Sequence, residues 1–81
     1  MIAAEISVYP LRRTSIGSII RDTIRILESF DLQVRVSEMS TLVWGEERIL
    51  FEALEAAFLG ASNQGDTVMN ITLSNACPKP E

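Results

Sequence analysis

The sequence contains no histidine, and its one cysteine is Cys77. Without histidine there is no Ser-His-Asp triad, no Cys-His nucleophile pair and almost no way to build a zinc site. A lone thiol cannot close an internal disulfide, and Cys77 reads as inert. Positive charge is in the minority: seven Lys and Arg against eleven Asp and Glu leave a net charge of −4 and a pI near 4.7. That balance argues against nucleic acid or anionic lipid as a partner and suits a cationic small molecule better. No apolar run approaches the roughly 20 residues of a membrane span. The opening Met1-Ile2-Ala3-Ala4-Glu5 lacks the basic start and long apolar core of a secretory leader, so a cytoplasmic location is expected. As the inventory of an enzyme, this is poor.

The 81 residues present suffice for one domain and are too few for two. With 47% hydrophobic and 22% charged residues the composition is globular. A chain this short buries only about two-thirds of its unfolded surface, so its stability is marginal and a partner subunit would help.

Residues 2–9 alternate, with Ile2, Ala4, Ile6 and Val8 on one side and Ala3, Glu5, Ser7 and Tyr9 on the other, the pattern of a half-buried strand that Pro10 stops. Thr14 or Ser15 can cap a helix whose apolar stripe is Ile16, Ile20, Thr23, Ile24 and Leu27, widened by Ile19, Ile26 and Phe30. Asp31 is expected in a left-handed conformation where that helix ends. Leu32, Val34 and Val36 alternate with Gln33, Arg35 and Ser37 as a second strand. A short link leads to a third strand, Thr41 to Trp44, ending at Gly45. Glu46-Glu47 place negative charge at the start of a second helix. Its buried stripe is Leu50, Ala53, Leu54, Ala57, Phe58 and Ala61. Residues 67–74 form the last strand, with Met69, Ile71 and Leu73 toward the helices. The order strand-helix-strand occurs twice, and right-handed crossovers then give an antiparallel sheet in the order 4-1-3-2 with both helices on one face. This is an α+β ferredoxin-like plait over residues 1–75, with 76–81 as a loose tail.

If the apolar side of each strand meets the helices, the open face carries Glu5, Ser7, Tyr9, Gln33, Arg35, Ser37, Thr41, Val43, Val68, Asn70, Thr72 and Ser74. A carboxylate in a central strand requires a wet face or a paired charge. Ordinary solvated surface accounts for these residues; a ligand site or a subunit interface accounts for them equally well. Arg12-Arg13 before a helix can hold an anion or simply be solvated. Trp44 reads as a core or interface anchor.

The stretch Ala4-Glu5-Ile6-Ser7-Val8-Tyr9-Pro10-Leu11 resembles the opening of the thiamine-binding protein family, the YkoF-like domains. Met39-Ser40-Thr41 followed by Gly45-Glu46 is similar to that family's Met-x-Thr segment and Gly-Glu pair, and Gly65 falls where the family has a glycine. Two positions depart: Trp44 stands where members carry an acidic residue, and Leu73-Ser74-Asn75-Ala76 replace a charged end to the last strand. The resemblance implies a homo-dimer or tetramer that binds thiamine or its hydroxymethylpyrimidine half as a ligand, with no cofactor, no metal and no catalysis. Glu5, Ser7, Ser40 and Thr41 are the expected ligand-binding residues, with Asn70 and Thr72 beside them. A regulatory or interaction domain that self-associates or senses another metabolite is the competing reading. An enzyme using Glu5 as a base is a third.

The tail holds two prolines and little apolar content, so it should contribute few buried contacts. Truncation after Ala76 is expected to change unfolding free energy by less than about 0.5 kcal/mol in denaturant titration. Loss of folding or assembly would contradict this.

Overall fold

A computed structural model describes residues 1–12 and 16–76. The elements run β1 (Ile2–Pro10), α1 (Ile16–Glu28), β2 (Gln33–Val36), β3 (Thr41–Gly45), α2 (Glu47–Ser62) and β4 (Thr67–Ser74). The four strands pair antiparallel in the order β2-β3-β1-β4, and the fold is the ferredoxin-like plait. The proposed caps Thr14 and Ser15, together with Arg13, Cys77 and the rest of the tail, lie outside the described residues. No helix among the described residues is long and apolar enough to cross a membrane.

The core follows from the two periodicities. Ala4 and Ile6 of β1 and Val43 of β3 meet Leu27 of α1 and Leu50, Ala53, Leu54 and Ala57 of α2. Leu27, Leu50 and Val43 are the largest side chains that are fully buried. At the start of α2 the Glu46 carboxylate accepts a hydrogen bond from the Ile49 backbone N–H at 3.1 Å, satisfying one orphan donor of the first turn. At the end of α1 the Ser29 N–H reaches the carbonyls of Arg25 and Ile26, and the Phe30 N–H that of Leu27. These bonds close the helix without a left-handed residue. Asp31 therefore does not adopt the expected conformation; Arg12, at φ 57°, is the non-glycine residue with positive φ among those described.

The parity of β3 also differs from expectation. Ile6 pairs with Thr41 and Ala4 with Val43, so both Thr41 and Val43 face the helices and are buried. Leu42 and Trp44 take their places on the open face, and Glu5 lies opposite Leu42 rather than Thr41. The stretch Thr41-Leu42-Val43-Trp44 has no alternation to read, so only pairing with β1 decides its faces. Ile20 and Phe58, expected in the buried stripes, are partly exposed, as are Ile71 and Leu73 on the helix side of β4.

The helices approach closely at Gly60, where a Cβ would lie 2.6 Å from Ile26 Cδ1. Alanine there gains about 1 kcal/mol of helix propensity but must displace that methyl. Gly60→Ala is expected to be neutral or destabilising alone. In an Ile26→Val background, which lacks Cδ1, it should stabilise by up to about 1 kcal/mol. Equal effects in both backgrounds by denaturant titration would contradict this account.

Candidate functional site

A recess of about 110 Å³ opens between α1 and the β2–β3 end of the sheet. One wall is Ile20, Thr23, Ile24 and Leu27 of α1, the floor is Ile6, Val8 and Thr41, and residues 36–40 with Ser7 complete it. Alternation places Ile6, Val8 and Thr41 here, and the helical spacing of Ile20, Thr23, Ile24 and Leu27 sets them above. The hairpin that closes the recess is tied by its own polar groups. Ser37 donates to the Ser40 carbonyl from its backbone N–H at 2.9 Å and from its hydroxyl at 2.8 Å. The Ser40 hydroxyl donates to Glu5 Oε2 at 3.0 Å, and the Ser7 hydroxyl reaches the Met39 carbonyl at 3.4 Å.

Two hydroxyls lie inside. Thr23 is buried and donates to the Ile19 carbonyl at 2.9 Å, the back-bond typical of a mid-helix threonine, so its oxygen keeps only acceptor capacity. Thr41 is 9% exposed, and its hydroxyl makes no hydrogen bond among the described residues. Among the described residues Glu38 is the one ionisable residue in the lining, and its charge favours a neutral or cationic guest over an anion. Among the described residues no cluster of His, Cys, Asp and Glu can hold a metal ion.

The expected site residues divide between the two faces of the sheet. Ser7, Ser40 and Thr41 line the recess. Glu5 does not line it but holds Ser40 at its edge. Thr72 pairs with Glu5 and Asn70 with Ser7, which places both on the open face beside them and away from the recess. Thr23 was absent from the sequence-based set; the available signal was a hydroxyl in an otherwise apolar helical stripe. Trp44 borders a different, wider and more open concavity of about 490 Å³ at the other end of the strands, with Met1, Asp31, Gln33 and Glu46. The Gly45-Glu46 pair has structural work of its own there. A Cβ at position 45 would fall 2.5 Å from Leu32 Cδ2, and Glu46 caps α2. Met39-Ser40-Thr41, by contrast, lies at the recess.

Comparison with known proteins gives one family and several structures of the same fold. The model of the YKOF-related family matches residues 1–80. A hypothetical protein from Methanocaldococcus jannascii is similar over 98% of this chain and 84% of its own, with a TM-score of 0.86 and 22% identity. A protein from Streptococcus pneumoniae is similar over 90% of this chain and 83% of its own, with a TM-score of 0.82 and 21% identity. A candidate thiamine biosynthesis/salvage protein from Thermotoga maritima is similar over 89% of this chain and 80% of its own, with a TM-score of 0.76 and 17% identity. At these identities the likeness is one of fold. No curated protein matches the chain.

Proposed function

The chain belongs to the YKOF-related family, and from that premise we propose that it is a non-catalytic domain that binds thiamine or its hydroxymethylpyrimidine half, as a cytoplasmic homo-oligomer. The observation that carries the reading is the Thr41 hydroxyl, which makes no hydrogen bond among the described residues and lines a recess about the size of one aromatic ring. An engineered apolar cavity of about 150 Å³ holds benzene; a recess of about 110 Å³ takes one planar six-membered ring and not two linked rings. The aminopyrimidine is thus the buried anchor, and the thiazolium lies outside. An aminopyrimidine offers N–H donors and ring-nitrogen acceptors. Thr41 can donate to a ring nitrogen, and the Thr23 oxygen can accept from the amino group. The cationic thiazolium lies toward Glu38 and the Glu5–Ser40 pair, where no basic side chain among the described lining residues opposes it. Hydroxyls and one rim carboxylate offer complementarity without a nucleophile-base pair, which supports binding rather than turnover.

Calorimetry with thiamine and with hydroxymethylpyrimidine tests this. Thr41→Val keeps the shape and removes the hydroxyl. It is expected to weaken both ligands about tenfold. Unchanged affinity would remove Thr41 from the site. Glu5→Gln removes the charge behind Ser40. It is expected to weaken thiamine roughly ten- to a hundred-fold and neutral hydroxymethylpyrimidine less. Equal loss for both would show that Glu5 acts on the shape of the hairpin and not through its charge.

A further inference from the structure

We propose that the Met39 side chain is the contact surface for the thiazolium half of thiamine, and so sets the preference for the two-ring ligand over hydroxymethylpyrimidine alone. The proposal rests on the reading above, in which the pyrimidine fills the recess and the second ring stays outside it. The thiazolium then needs a surface at the mouth, and the buried walls of the recess cannot supply one.

The inference begins with an exposure that the fold does not need. Met39 is 87% exposed, the highest value for a large apolar side chain among the described residues. A single exposed apolar residue is ordinary surface. Here its place is what matters, because Met39 borders the recess in the short link between β2 and β3, where polar turn residues serve equally well. The backbone around it is held. The Ser7 hydroxyl donates to the Met39 carbonyl at 3.4 Å, Ser37 bonds twice to the Ser40 carbonyl, and the Ser40 hydroxyl donates to Glu5. With the link fixed as backbone, the part free to turn toward a guest is the Met39 side chain.

The chemistry of the rim selects Met39 over its neighbours. Residues 36–40 present Val36, Ser37, Glu38, Met39 and Ser40. The hydroxyls of Ser37 and Ser40 already donate within the hairpin. Val36 is branched at Cβ and stiff at χ1, so it cannot follow a ring that moves. Methionine is unbranched, has three rotatable bonds, and carries a polarizable thioether that packs well on aromatic rings. A thiazolium is flat, aromatic and cationic. The thioether covers its face without giving up a strong hydrogen bond to water, while Glu38, exposed beside it, supplies the opposing charge. Ordering a flexible side chain costs entropy, so the gain is several-fold and not several orders of magnitude.

Calorimetry with thiamine and with hydroxymethylpyrimidine on the parent, Met39→Ala and Met39→Leu is the test. The parent should bind thiamine more tightly than hydroxymethylpyrimidine. Met39→Ala should weaken thiamine about five- to tenfold and change hydroxymethylpyrimidine by less than about twofold. Met39→Leu keeps apolar bulk and should recover most of the loss. Nuclear magnetic resonance of labelled methionine methyl groups gives a second readout, because the chain has three methionines in distinct places. Met1 borders the concavity at the other end of the strands, and Met69 packs against the core. Thiamine should shift the Met39 methyl strongly, hydroxymethylpyrimidine should shift it less, and neither should move Met1. Equal losses of both ligands in Met39→Ala would overturn the proposal and leave the thiamine reading standing. So would unchanged thiamine affinity with an unmoved Met39 methyl. A parent that binds neither ligand would overturn the thiamine reading and this proposal with it.

Discussion

The register of β3 against β1 decides which side chains the two helices can bury. With Ile6 opposite Thr41 and Ala4 opposite Val43, Val43 enters the core under Leu27 and Leu50, and Thr41 is carried into the recess beside Thr23. A slip of one residue would drive Leu42 and Trp44 under the helices and turn both Thr41 and Val43 outward. The small side chains of Ala4, Ala53 and Ala57 bring α2 down close to the sheet, and an indole there would have no room. The bulk of Trp44 thus enforces the register by exclusion, while Val43 fixes it by fit.

That register explains why a polar recess persists next to an apolar core. A sheet covered by two helices has its tightest packing where both helices lie over it. Leu27, Leu50, Ala53 and Ala57 are all fully buried there. Toward the β2–β3 hairpin only α1 lies overhead, and the gap is bounded by loop instead of helix. Larger apolar residues at positions 23 and 41 would fill it. Two threonines leave it open and line it with hydroxyls. Local choices that oppose stability concentrate where a protein does its work, and here that place is also where Met39-Ser40-Thr41 falls.

Much of this was legible in the sequence. Strict alternation from Ile2 to Val8 gave β1 both its faces, and spacings of three and four gave both helices. The doubled strand-helix-strand order pointed to the plait, and the sheet order followed by analogy with that fold. β3 was not legible, because Leu42, Val43 and Trp44 are consecutive apolar residues and carry no period. The register that sorts them is a property of β1 as much as of β3. The misplacement of Thr41 followed from this, and with it the idea that the site residues share one face. Glu5 and Ser40 are neighbours in the structure, as hydrogen-bond partners at the edge of the recess. Thr23 was hidden for another reason. In the sequence it reads as a tolerated gap in a stripe, and only the meeting of α1 with β3 makes it a wall.

The same limit applies to β4, where alternation directs Met69, Ile71 and Leu73 inward without saying whether anything covers them. Coverage depends on where α2 lies, and α2 is held inward by the close approach of Gly60 to Ile26 and by its alanines over β1. Holding the helix over the centre of the sheet leaves the outer flank of β4 bare and turns Phe51 and Phe58 outward above it. The recess reaches β1, whose Ile6 and Val8 pair with Ile71 and Met69 of β4, so the floor of the recess and the bare flank belong to neighbouring strands.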